Sequence, residues 1–252
     1  MYSINRLKPE FINHLDILIV RDNAGGVYQG SWSDHGDSAG CVAEHRFSYT
    51  QAQVQRIVGV AARIARMRKK RLHVIIKEGG VPSISKLWRE IAQRICSDAQ
   101  VKCLFLNADN AAYRLIQHPE EFDVIVTPNM VGDILADLGA VLLGSRGLSY
   151  SANFCGKGNA VYQTGHGAAF DLTGTDHANP VAQILTMAMM LRQSYGLNDE
   201  ADWIEQAIEQ VWREGWRTRD IAQNGDPVVG TKRMGELIAE AVLAQVENRV
   251  YQ

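Results

Sequence analysis

The feature that most constrains this chain is an alternation of two kinds of apolar pattern. Short runs at Leu15–Val20, Leu72–Lys77, Val101–Leu106 and Phe122–Thr127 take turns with segments whose apolar residues recur at three and four. The runs read as buried strands and the periodic segments as amphipathic helices. Val54, Ile57, Val58, Ala61, Ile64 and Ala65 make one helical stripe, and Ile84, Leu87, Trp88, Ile91 and Ile95 make a second. Ala111–Ile116 and Asp133–Leu143 supply two more helical pieces. Strands that alternate with helices predict an α/β fold with at least partly parallel pairing, because a parallel pair needs a crossover long enough to hold a helix. Residues 31–44, polar or small, predict a hairpin or loop.

The pattern changes at residue 144. Residues 144–178 hold seven of the 22 glycines and show no helical period, which predicts loops and short strands. Asn179-Pro180 is a good helix start, with Asn as cap and Pro at the first position. Val181, Ile184, Leu185, Ala188 and Leu191 give that helix its apolar face, and Gly196 is placed to stop it. Further helices are expected at Asp199–Trp212 and Thr231–Val246.

Composition excludes several classes. The 26 basic and 28 acidic residues give a formal charge of −2, and the basic residues form no dominant patch, which argues against a general nucleic-acid binder. The run Arg66, Arg68, Lys69, Lys70, Arg71 reads as a solvated helix C-terminus, where cations suit the dipole. No apolar run reaches the ~20 residues of a membrane helix, and the first residues lack a signal-peptide layout. The four cysteines form no CxxC and read as free thiols of a cytoplasmic protein. GxGxxG, GxxxxGK[ST], HExxH and GxSxG are all absent.

What chemistry there is lies in acids and a few partners. Asp133 and Asp137, four apart, share one helix face, and Asp109 stands at a strand-to-helix junction. Acids near a helix N-terminus also answer to the dipole alone. Three hard oxygen ligands would instead suit Mg2+ or Mn2+. Lys77 ends a strand, Tyr28 sits in a glycine-framed loop and Arg21 ends the first strand. A lysine beside a divalent cation can serve as base, a tyrosine as acid and an arginine as carboxylate clamp. A surface lysine, a packed loop tyrosine and an exposed arginine fit the spacing equally well.

Four blocks decide between these readings: LDILIVRDNAGGVYQG (Leu15–Gly30), ADNAAYRLI (Ala108–Ile116), FDVIVTPNMVGDILAD (Phe122–Asp137) and VYQTGHGAAFDLTGTDHANPVAQILTMAMML (Val161–Leu191). Together they resemble the β-decarboxylating dehydrogenases, the isopropylmalate and isocitrate dehydrogenase family, with the match beginning part-way into the family's chain. The resemblance implies an isopropylmalate dehydrogenase-like α/β fold. In it, residues 1–145 form a small substrate, metal and dimerisation domain, and residues 146–252 form the C-terminal half of an incomplete large NAD-binding domain. It implies NAD- and Mg2+-dependent oxidative decarboxylation of a 2-hydroxy acid, closer to isopropylmalate than to isocitrate by the Gly25-Gly26-Val27-Tyr28 loop. Arg21 would bind a substrate carboxylate, Lys77 would take the hydroxyl proton and Tyr28 would protonate the enol. Asp109, Asp133 and Asp137 would hold Mg2+ or Mn2+. His166, Gly167, Asp171 and Asn179 would bind NAD, the acid at 171 favouring it over NADP. Because the family's Lys and first Asp reach across from a partner, a homodimer is implied, with the helices after Ser83 and Gly132 at its interface. Departures from the family's pattern fall at Gly79, Gln163, Ala168 and Phe170. They leave a second expectation open: a non-catalytic binding or regulatory subunit that pairs with a full-length homologue, or a separate chain that supplies the missing N-terminal portion.

Overall fold

The computed structural model describes Leu7, Ile12 and residues 14–250. Two units divide it, one formed by His14–Leu138 and the other built on the chain from Gly139 onward.

In the first unit, four strands, β1 (Leu18–Arg21), β4 (Arg71–Ile76), β5 (Lys102–Asn107) and β6 (Val124–Thr127), form a parallel sheet in the order β1-β6-β4-β5. Its helices are α1 (Gln51–Met67), α2 (Pro82–Asp98), α3 (Ala108–Gln117) and α4 (Asn129–Leu143), the last crossing the boundary between the units. The two central strands are buried along nearly their whole length, as a sheet covered on both faces requires. Alternate residues face opposite sides. Leu72, Val74 and Ile76 join Val124 and Val126 in a cluster with Val54, Val58, Ala61, Trp88, Ile91 and Ala92 from α1 and α2. Residues of the other parity, His73, Ile75 and Ile125, are buried outside that cluster, His73 against the Phe122 ring with centroids 4.6 Å apart.

Local chemistry starts and stops these elements. Thr50 and Gln53 form a reciprocal capping box that opens α1, and Pro82 occupies the first turn of α2. The basic run after α1 is more than a solvated helix end. Arg68 pairs with the fully buried Asp123 at 2.7 Å and with Asp16 at 2.9 Å, and Arg71 is already the first residue of β4. Neutralising a buried carboxylate is what makes its burial tolerable. Residues 31–46 form a hairpin, β2 (Ser31–Asp37) and β3 (Gly40–Arg46), exposed along nearly its whole length.

In the second unit the core lies among helices α5 (Val181–Met190), α6 (Asn198–Arg213) and α7 (Thr231–Val250). Val181, Leu185, Ile204, Ile208, Val211, Trp212, Met234 and Ile238 meet there, with Leu148 and Ile221 from the loops. After α5 the chain makes one π-helical turn and stops at Gly196, whose φ of 69° is left-handed. An antiparallel ribbon, β7 (Tyr150–Phe154) and β8 (Ala160–Thr164), packs on α5. All four cysteines are free thiols. Among the described residues no helix is long and apolar enough to cross a membrane.

Candidate functional site

Parallel strands gather whatever follows them at one edge, where open α/β sheets place their ligands. Arg21 is the last residue of β1 and Tyr28 lies in the loop after it, Lys77 directly follows β4, Asp109 is in the first turn of α3 after β5, and Asp133 is on α4 after β6. Five of the six candidate residues in this unit thus stand just beyond the carboxyl ends of four adjacent strands. Asp137, one turn past Asp133 on the same helix face, follows them.

They form two groups. In the first, Asp133 is the hub: Arg21 Nη1 meets its Oδ1 at 2.6 Å, and the Tyr28 hydroxyl donates to its Oδ2 at 3.0 Å. The Arg21 guanidinium also lies 5.8 Å from the Tyr28 ring centroid. Partial burial and the neighbouring Asp133 carboxylate raise the Tyr28 pKa above its ordinary value, against the opposing effect of Arg21. The phenol therefore keeps its proton at neutral pH and gives it up less readily than an ordinary tyrosine. In the second group, Lys77 Nζ donates to Asp109 Oδ1 at 2.8 Å. That ammonium, helped by backbone N–H groups at the start of α3, holds the Asp109 carboxyl below the usual range. Glu78 is held by Arg89 and by its own N–H on Asn107 Oδ1 at 3.0 Å, which fixes the segment next to Lys77.

Between the groups lies an apolar cleft of about 340 Å³. Its lining includes Lys77 of the second group and Ala108, the neighbour of Asp109, together with Gly26, Val27 and Ile134, sequence neighbours of Tyr28 and Asp133.

Glycines make the first group geometrically feasible. A Cβ at Gly26 would sit 2.5 Å from the Tyr49 hydroxyl, and φ there is 81°, so the loop bearing Tyr28 lies against Tyr49 only with glycine. A Cβ at Gly132 would come within 2.7 Å of Arg21 Cγ and 2.9 Å of Thr127 Cγ2. Arg21 therefore runs across the bare backbone of α4 to reach Asp133. Because α4 begins at Asn129, its first turn holds no acid. The helix-dipole account of Asp133 and Asp137 loses its basis.

A metal needs its donors together. Among the described residues no three His, Cys, Asp or Glu side chains form a group able to hold one. Asp133 and Asp137 are of the right chemistry, hard carboxylate oxygens one helical turn apart, while Asp109 is engaged with Lys77. One copy of the chain presents two of the expected ligands on α4 and the third elsewhere.

In the second unit, His166, Gly167, Asp171 and Asn179 lie along a single loop that leads into α5. His166 Nδ1 is 2.8 Å from the Gly167 carbonyl, and Asp171 is exposed in a short 3-10 turn. Asn179 Oδ1 accepts from Val181 N at 3.0 Å, although α5 starts at Val181 with Pro180, not Asn179, in the cap position. Its Nδ2 donates to Asp220 Oδ2 at 3.1 Å, and that carboxylate also accepts from Ser145 and Thr218 at 2.5 and 2.6 Å. Asp176, with φ 57°, accepts from Lys232 N at 2.9 Å and ties the loop to the start of α7. Sequence reasoning missed Asp220, Asn129 and Tyr49, since nothing local marks a polar residue as the centre of a long-range network.

A model of the isocitrate/isopropylmalate dehydrogenase family matches residues 1–238. Among curated proteins, the 3-isopropylmalate dehydrogenase of Geobacillus kaustophilus is 41% identical over 248 residues, 96% of this chain and 66% of its own length. That of Synechococcus sp. (strain JA-3-3Ab) is 41% identical over 250 residues, 97% of this chain and 65% of its own length. The chain thus spans about two thirds of the length of these relatives. Among solved structures, isocitrate dehydrogenase from Methylococcus capsulatus superposes with a TM-score of 0.85 at 32% identity, over 90% of this chain and 67% of that one. The TT0538 protein from Thermus thermophilus gives 0.87 at 28% identity, over 96% of this chain and 48% of that one.

Proposed function

The chain belongs to the isocitrate/isopropylmalate dehydrogenase family, and on that premise we propose that it oxidises and decarboxylates a 2-hydroxy acid, isopropylmalate-like more than isocitrate-like, with NAD and Mg2+ or Mn2+. The observation that carries this reading is the linked set Arg21, Tyr28 and Asp133 beyond the carboxyl ends of the sheet, with Lys77 and Asp109 beyond neighbouring strands. Arg21 offers a guanidinium fork to a substrate carboxylate. Lys77, in its neutral amine form, would take the proton of the substrate hydroxyl as hydride passes to NAD. After CO2 departs, Tyr28, which holds its proton at neutral pH, returns one to carbon. Asp133 and Asp137 would hold a divalent metal, which would supply positive charge for the oxygen anion that develops as CO2 leaves. Asp171, exposed in the His166–Asn179 loop, suits ribose hydroxyls and repels a 2′-phosphate, in favour of NAD over NADP. We also assign residues 1–145 to the substrate, metal and dimerisation domain and residues 146–252 to the cofactor domain.

A homodimer is part of the same reading. Asp109 and Lys77 of one copy would complete the set around Asp133 and Asp137 of the other. Exposed Met130 and Ile134 on α4, together with the exposed β2–β3 hairpin, support such a contact. On α2, Trp88, Ile91 and Ala92 belong to the core of their own unit, while Ile84, Leu87 and Ile95 are only partly buried and leave apolar surface for a partner.

The test is NAD+ reduction by the purified chain with Mg2+ across isopropylmalate, isocitrate, homoisocitrate, tartrate and malate. Turnover with one acid, lost about 10²–10⁴-fold in Lys77→Met as expected of a proton-transfer residue, names the substrate. Sedimentation in the same buffer reads the dimer. Silence across the panel from folded protein removes the self-sufficient enzyme and leaves the binding or regulatory subunit.

A further inference from the structure

Four hydrogen bonds converge on Asn129, the first residue of α4 and 2% exposed. Its Oδ1 accepts from Arg21 Nε at 3.0 Å and from Nη2 at 2.8 Å. Its Nδ2 donates to the Gly25 carbonyl at 3.2 Å, and its backbone N–H donates to the Tyr49 hydroxyl at 3.1 Å. The three segments joined in this way are those that carry the first candidate group. Arg21 ends β1, Gly25 belongs to the loop that bears Tyr28, and Asn129 itself begins the helix that bears Asp133. A carboxamide offers an acceptor and donors at once, which neither a carboxylate nor a hydroxyl reproduces at this reach.

We propose that Asn129 is the positioning residue of this site: by engaging Nε and Nη2 of Arg21 it fixes the plane of the guanidinium, leaving Nη1 directed at Asp133, while its amide pins the Tyr28 loop to the start of α4. The inference rests on the reading of Arg21 as the clamp for a substrate carboxylate. Two further features support it. An arginine alone has several rotatable bonds, and the contact of its stem with Gly132 limits where it lies without setting the rotation of the fork; the two bonds to one oxygen set that rotation. Tyr49, the acceptor for the helix's otherwise orphaned first N–H, is 9% exposed and packs edge-on against Trp88 with ring centroids 5.4 Å apart. The network is therefore anchored in the core of the unit and not in mobile surface groups.

The test reads the Arg21 side chain directly, by the solvent exchange of its Nε–H in the full chain labelled with 15N-arginine, the signal assigned with Arg21→Lys. A slow Nε–H in the native chain, accelerated about tenfold or more in Asn129→Ala as the loss of a hydrogen bond to a charged group entails, and still slow in Asn129→Asp, which keeps the acceptor, is the expected result. A native Nε–H that exchanges like that of an exposed arginine overturns the proposal with no variant needed. So does protection unchanged in Asn129→Ala, or lost equally in both variants, which would reduce Asn129 to a packing role. If Asn129→Ala does not fold, the native chain and Asn129→Asp decide. None of these readings requires turnover. A chain inactive on every acid in the panel would remove the enzyme reading and leave the placement of Arg21 to be judged on its own.

Discussion

The region His14–Leu138 and the region from Gly139 onward bury apolar surface in different ways, and their candidate residues inherit the difference. In the first, a parallel sheet covered on both faces delivers chain ends to one edge, so residues far apart in sequence arrive together: Arg21 and Asn129 are 108 positions apart and share two hydrogen bonds. In the second, helices pack on helices and the ribbon β7–β8 leaves Phe154 and Val161 about 60% exposed. There the candidate residues lie along one loop, and side-chain bonds to Asp220 and from Lys232 N hold it in place. A sheet edge assembles a site from several segments, whereas a loop presents consecutive residues and needs separate anchors.

The sharpest way to break this comparison is at the core of the sheet. Trp88, fully buried and packed on Tyr49, holds α2 to the strands. Trp88→Ala is expected to cost about 3–5 kcal/mol in chemical denaturation, and a loss below that range would mean that the sheet's cover is far more forgiving than its packing indicates.

Next comes pH. Burial, with help from the Arg71 charge, lowers the His73 pKa to about 4. Folded His73 stays neutral where the unfolded chain takes up a proton, so its contribution is full above the unfolded value near 6.5 and is lost as pH falls from there to about 4. The loss amounts to about 3 kcal/mol, and denaturation midpoints recorded across that window should flatten in His73→Phe. An unchanged slope would show that His73 does not govern acid sensitivity.

Two glycines, one in each region, give opposite expectations. Gly132→Ala drives a methyl into Arg21 and Thr127 and should destabilise by about 1–3 kcal/mol, while weakening substrate binding in the panel assay. Gly235 lies inside α7 with open space where its Cβ would be. Gly235→Ala should stabilise by about 0.5–1 kcal/mol, because a helical glycine with room for a Cβ carries only an entropic penalty. Thermal melts of the two variants side by side read both signs.

Much of the fold was legible because its signals are local. Leu72–Ile76 is apolar without interruption because both faces of its strand are covered, and Val54–Ala65 repeats at helical spacing because one stripe faces the sheet. Gly196 acts at the helix end it defines, and Asn179 bonds the N–H of Val181 at the start of α5. The start of α4 was misplaced by a turn for the same reason in reverse. Asn129, Gly132 and Asp133 interrupt the apolar period, and their places are set by Arg21, Tyr49 and Tyr28, none of them nearby in the chain.

The sequence by itself determined the strands, the helices and the types of residue available for chemistry, since periodicity, caps and turn residues act over a few positions. Family blocks added expected roles for ten of those residues. Only the tertiary structure decided which of them meet: that Asp133 lies between Arg21 and Tyr28, that Asp109 pairs with Lys77, and that a buried Asn129 ties the first group together. Hydrogen bonds of a few ångströms between segments about a hundred residues apart depend on strand order and helix placement, and these are properties of the whole packed unit.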